Sequence, residues 1–151
     1  MYAAVILATM VALPAIAIAV ELLVAAPADP VATMLKWAVF WLSGVRLAMA
    51  GVSQLRNPGF TARRLLGVEA PGTAVLVREL GFSNLAFGAV SLASLLLPEW
   101  RAPAAFATGL FFLFAGLGHV AHGGRGASEN LAMVSDFWAA AVLLGLLGAQ
   151  L

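Results

Sequence analysis

The chain has 151 residues, 63% of them hydrophobic and 10% charged, with eight basic and seven acidic side chains. Soluble chains carry about 25% charged residues, so a water-soluble globule of this composition could not cover its surface, and so apolar a chain is not disordered either. The near-zero net charge gives no basic field for nucleic acid, and the lack of cysteine excludes disulfides, thiolate nucleophiles and cysteine-ligated clusters.

These features predict an all-α integral membrane protein, a single domain over residues 1–151. About 20 apolar residues are needed to cross a hydrocarbon core about 30 Å thick. Five segments meet that need: residues 2–25, 33–54, 73–97, 103–122 and 131–150. Barrel strands would alternate polar and apolar side chains, and these segments do not. In chain order, the first helix carries Pro14, a kink that is tolerable if a neighbour satisfies the freed carbonyl. Ala26-Pro27-Ala28-Asp29-Pro30 breaks the chain after it. The first segment reads as a mature helix and not a signal peptide, because it has no basic leader and its apolar run is too long. The second helix ends at Asn57-Pro58-Gly59, and residues 61–66 could form a short amphipathic helix on the membrane face. Pro71-Gly72 precedes the third helix, and Pro98 and Pro103 bracket a tight turn before the fourth. Gly123-Gly124-Arg125-Gly126 closes the fourth, with Ser128 or Asn130 available to cap the fifth.

Orientation follows from the basic residues near the helix ends. Arg56, Arg63, Arg64, Arg78 and Arg125 collect on one side, against Lys36 and Arg101 on the other. This predicts a cytoplasmic N-terminus. Trp37, Trp41 and Trp100 would then lie near the outer interface. Glu21 reads as a solvated outer helix end or, alternatively, an outer-face contact.

Charged residues at bilayer depth cost about 2.5–3.5 kcal/mol on insertion scales, so each needs a reason. At 1.5 Å rise per residue, Arg46 lies about 12 Å inside the inner helix ends, Glu79 and Asp136 about 8–9 Å, and Asn84 about 16 Å. His119 sits one turn from its own inner end. Arg46, Glu79, Asn84, His119 and Asp136 therefore form a candidate polar cluster in the inner half. On one reading Arg46 pairs with Glu79 or Asp136 and the network holds the packing. On the other, the cluster binds a ligand or passes protons. His119-x-x-His122 with Asp136 or Glu79 is a weaker candidate for a metal. On the third helix Gly81, Asn84, Gly88 and Ser91 make a small, polar stripe suited to close packing in lipid, which predicts that this helix is central. Glu79 points about 100° away from Arg78, so the two cannot share a partner. The outer half offers few polar residues for a path across. No catalytic set emerges and no cofactor is expected: both histidines lie on one helix, which argues against a bis-histidine haem.

The stretch Glu79-Leu80-Gly81-Phe82-Ser83-Asn84-Leu85-Ala86-Phe87-Gly88 resembles the third-helix motif, roughly E-x-G-F-x-N-L-x-x-G, of a family of small bacterial multi-helix membrane proteins of unknown function. Ala115–His119 and Asn130 with Asp136 are similar to that family's later helices, and the layout is broadly DoxX-like. The resemblance covers about residues 43–144, and the first helix lacks a counterpart in it. It implies a multi-pass protein of a bacterial cytoplasmic membrane and transfers no catalytic role. The first functional expectation is a non-enzymatic accessory subunit or lipid- or quinone-binding module, with the bilayer, other membrane subunits or further copies of itself as partners. The alternatives are a small transporter or proton conductor using the inner cluster, and a redox-enzyme subunit whose cofactor sits on a partner.

Overall fold

The computed structural model describes residues 2–65, 70, 72–121 and 126–151. Its described residues are helical, without strands, and include five helices long and apolar enough to cross a membrane. They are α1 (Ala3–Ala25), α2 (Pro30–Arg56), α3 (Thr73–Ala93), α4 (Pro98–Ala121) and α5 (Ala127–Gly148). Successive helices run in alternate directions. The N-terminus and the α2–α3 and α4–α5 connections therefore share one end of the bundle, here the amino-terminal end, and the C-terminus lies at the other.

The boundaries shift from the expected ones for local reasons. Helix α2 begins three residues early because Asp29 caps it, accepting from the Ala32 N–H at 2.9 Å, with Pro30 in the first turn where no N–H is required. Helix α3 stops at Ala93, where Ser94–Leu96 form a turn and the Ser94 hydroxyl donates to the Ser91 carbonyl. Helix α5 starts at Ala127 on an extended Gly126, so Ser128 and Asn130 lie inside the helix and do not cap it. Helix α1 ends on Ala26, which is left-handed at φ 41°, a conformation costing an L-residue about 1–2 kcal/mol. Thr61–Leu65 forms a short helical turn, with Thr61 and Ala62 buried, and packs against α3 and α5. Leu66 and His122 lie outside the described residues.

Helix α2, not α3, is the most deeply buried of the five. It contacts α1, α3, α4 and α5, whereas α3 packs chiefly against α2. The α3 stripe is nevertheless the packing face: Gly81, Asn84, Gly88 and Ser91 are all buried. A Cβ on Gly88 would lie 2.8 Å from the Ala48 backbone nitrogen and 3.1 Å from the Gly44 carbonyl. Only a glycine admits that approach, and close backbone contact is what holds helices together where lipid offers no hydrophobic drive.

Two π-helical stretches, Ala8–Ala12 in α1 and Val39–Val45 in α2, pack against each other. The wider turn rotates the rest of its helix, so beyond Val45 the buried residues of α2 are Leu47, Gly51 and Gln54, while Ser53 is exposed. Pro14 has no N–H for the Met10 carbonyl one turn back. The Trp138 indole of α5 fills the gap, donating to it at 3.0 Å.

Candidate functional site

The site is built at the amino-terminal end by the antiparallel pair α4 and α5. Helix α4 presents His119 in its last turn, and α5 presents Glu129 and Asp136. A spacing of seven residues is close to two turns, so both carboxylates lie on one face of α5, about 10 Å apart along the axis. His119 fills the interval between them. Its Nδ1 lies 3.3 Å from Glu129 Oε1 and its Nε2 lies 3.8 Å from Asp136 Oδ2. Glu129 and Asp136 are only 6% and 7% exposed.

The carboxylates sit at opposite edges of the imidazole, and that fixes the chemistry. A neutral imidazole can donate to one of them, whereas the imidazolium donates to both. The same opposition keeps the three groups from facing a common point. Among the described residues, no three His, Asp or Glu side chains are grouped to hold a metal ion.

Arg46 approaches from α2. It lies within electrostatic range of Asp136 but forms no direct ion pair with Asp136 or Glu79 among the described residues, and its Nε is buried without a hydrogen-bond partner. The expected direct Arg46–carboxylate ion pair is thus not formed among the described residues. The structure joins Glu129, His119 and Asp136 into a chain, with Arg46 in electrostatic range of its inner end.

Two other residues of the expected cluster stand elsewhere. Asn84 is buried against α2, where its Nδ2 donates to Gln54 Oε1 at 2.8 Å, while its own Oδ1 has no partner. Glu79 is exposed, as is Arg78, so Glu79 contributes nothing to the buried chain. The correction has a simple cause: depth along the helix places Glu79 near the others, but its phase turns it outward from the Gly81–Ser91 stripe.

Sequence reasoning missed Glu129, which precedes the expected start of the fifth helix at residue 131, and Gln54 as the partner of Asn84. The seven-residue interval to Asp136 was the available signal for Glu129. It also missed polar pairing in the other half of the bundle. There Ser43 Oγ lies 2.7 Å from Thr108 Oγ1, and Thr108 donates to the Ala104 carbonyl, which makes Ser43 the donor of the pair. The Arg101 Nε donates to the Ser94 carbonyl.

At the carboxyl-terminal end Glu21 pairs with Lys36 and accepts from the Trp37 indole at 2.7 Å, with Arg101 in electrostatic range. Lys36 also lies 5.0 Å from the Trp37 ring centre. Glu21 is therefore a paired helix end. In the nearby α1–α2 turn the Asp29 carboxylate is held below its ordinary range by the Ala32 N–H and the Gln150 amide.

Comparison with protein-family models, curated proteins and solved structures gives no match.

Proposed function

We propose that this is a non-enzymatic multi-pass protein of a bacterial cytoplasmic membrane that passes protons through its interior. The carrying observation is the Glu129–His119–Asp136 chain: two buried carboxylates on one helix face with an imidazole between them. Intramembrane ionisable residues are expensive and mark proton relays or ligand paths. An imidazole bridging two carboxylates can accept a proton at one nitrogen and release one from the other. On this reading Glu129 gathers protons at the amino-terminal end, His119 takes one up, and Asp136 receives it two helix turns further in. Arg46 keeps its proton throughout and holds a counter-charge beside Asp136. The exposed Arg56, Arg63 and Arg78 at the same end support a cytoplasmic mouth by the positive-inside rule.

Reconstitution into vesicles carrying a pH-sensitive dye tests this. An imposed pH difference should drive proton flux in the wild type, and His119→Gln should abolish it while remaining folded. Wild-type vesicles no leakier than empty ones would overturn the proposal.

A groove of about 160 Å³ favours the lipid- or quinone-binding alternative. It is lined by Met10, Pro14, Ala38, Leu42, Trp138 and Leu146, among others, between α1, α2 and α5. Its lining is apolar, as an acyl or isoprenoid tail requires. A lipid or quinone retained stoichiometrically through purification, and displaced by Ala38→Trp, would carry that reading.

A further inference from the structure

The chain from Glu129 ends in range of Arg46, about halfway across, and a conducting path needs a second half. We infer that it continues along buried hydroxyls contributed by three helices, Ser43 of α2, Thr108 of α4 and Ser91 of α3, and leaves past Ser94 to Arg101 and Glu21 at the carboxyl-terminal end. This inference rests on the proton-passing reading above.

Four observations carry it. First, Ser43, Ser91, Ser94 and Thr108 are at most 1% exposed, and the Ser91 hydroxyl has no protein partner. Second, the three helices bring them to one layer. Ser43 and Thr108 are in direct contact at 2.7 Å, and a Cβ on Gly44 would lie 3.2 Å from the Leu92 nitrogen, so the residues following Ser43 and Ser91 abut. Third, two buried polar atoms have no partner: Arg46 Nε, three residues inward of Ser43 on α2, and Ser91 Oγ on α3. Buried polar groups are rarely left unsatisfied, and ordered water is their usual partner where protein supplies none. Fourth, Ser91, Ser94 and Arg101 are linked through the Ser91 and Ser94 carbonyls, and Arg101 lies in electrostatic range of Glu21.

The proton balance is simple. A proton from bulk water converts His119 to imidazolium, which hands it to the Asp136 carboxylate. The carboxylic acid releases it to water held by Arg46 and Ser43. Rotating hydroxyls and water pass it outward, and it leaves to bulk water beside the Glu21–Lys36 pair. No bond other than O–H and N–H is made or broken. An isolated arginine on such a path would repel protons. Between transfers the ionised Asp136 carboxylate, in range of Arg46, offsets that charge.

The test measures dye-reported proton flux in vesicles for wild type, His119→Gln, Ser91→Ala, Thr108→Val and Thr108→Ser. Ser91→Ala removes a hydroxyl without a protein partner, so the fold keeps its hydrogen bonds. Thr108→Ser keeps the hydroxyl that Thr108→Val deletes. The expected result is a flux drop of about tenfold in Ser91→Ala and Thr108→Val, with Thr108→Ser near wild type. Flux lost in His119→Gln but unchanged in Ser91→Ala and Thr108→Val would overturn this path and leave the proton-passing reading standing. No flux in the wild type would overturn both.

Discussion

The two ends of the bundle handle charge in opposite ways. At the carboxyl-terminal end Glu21 and Lys36 flank a short turn between adjacent helices, and their side chains stay 24% and 17% exposed. Either can relax into water if the other is lost. At the amino-terminal end His119 and the two carboxylates also come from adjacent helices, but Glu129 and Asp136 are nearly sealed and Arg46 arrives from α2. His119 keeps 15% of its side chain exposed, but neither carboxylate can reach solvent without reorganising the helices around it. The same kinds of side chain thus make a surface fastening at one end and a committed electrostatic unit at the other.

The contrast predicts unequal costs. The largest should follow His119→Leu, which leaves two buried carboxylates facing each other with no imidazole between. Breaking such a unit costs about 3–5 kcal/mol, read as a lowered melting temperature in detergent. His119→Gln should cost much less, since an amide can still bridge. Equal losses in the two variants would mean the buried end is no more committed than the exposed one. Next comes Gln54→Leu, which strips the Asn84 amide of its acceptor. Interhelical hydrogen bonds in membranes average about 0.6 kcal/mol and reach about 1.7, and the upper end is expected because Asn84 Oδ1 already lacks a partner.

Lys36→Met should cost only about 0.2–1 kcal/mol, the range for accessible ion pairs, and the loss should shrink as salt is added. A salt-insensitive loss as large as that of His119→Leu would erase the distinction between the ends. Smallest is the pH response of the α2 cap. Asp29 has its carboxyl lowered in the folded state. Its stabilising contribution is therefore complete above the unfolded value of about 3.9, and it disappears as pH falls through the lower folded value. Melting of wild type against Asp29→Asn between pH 2 and 6 should show an acid-dependent difference that is absent at neutrality. An identical acid response in both would remove Asp29 as its source.

Much of this was legible in the sequence because lipid imposes strong one-dimensional rules. Apolar length fixes the helices, proline and glycine fix the breaks, and the period of Gly81, Asn84, Gly88 and Ser91 identified the face of α3 that packs. Pro14 announced a carbonyl in need of a donor. It could not name Trp138, which lies 124 residues away along the chain. The failures have different causes. Glu79 was placed by depth alone, yet whether a carboxylate is buried depends on helix rotation, and half a turn of phase reverses the answer; Glu129 was missed because the fifth helix begins at Ala127 and not at residue 131.

Composition and hydropathy by themselves determined an all-helical chain with five helices long enough to span a bilayer, since an apolar chain in lipid must satisfy its backbone within each helix. Only the tertiary structure decided which helix is central, because the π-helical stretch in α2 rephases its faces and no propensity scale registers a widened turn. It alone decided that Glu129 joins His119 and Asp136 while Glu79 does not, and that Ser43 meets Thr108. These are pairings between helices, set by packing rotation and register, and that information is shared among segments and carried by none of them singly.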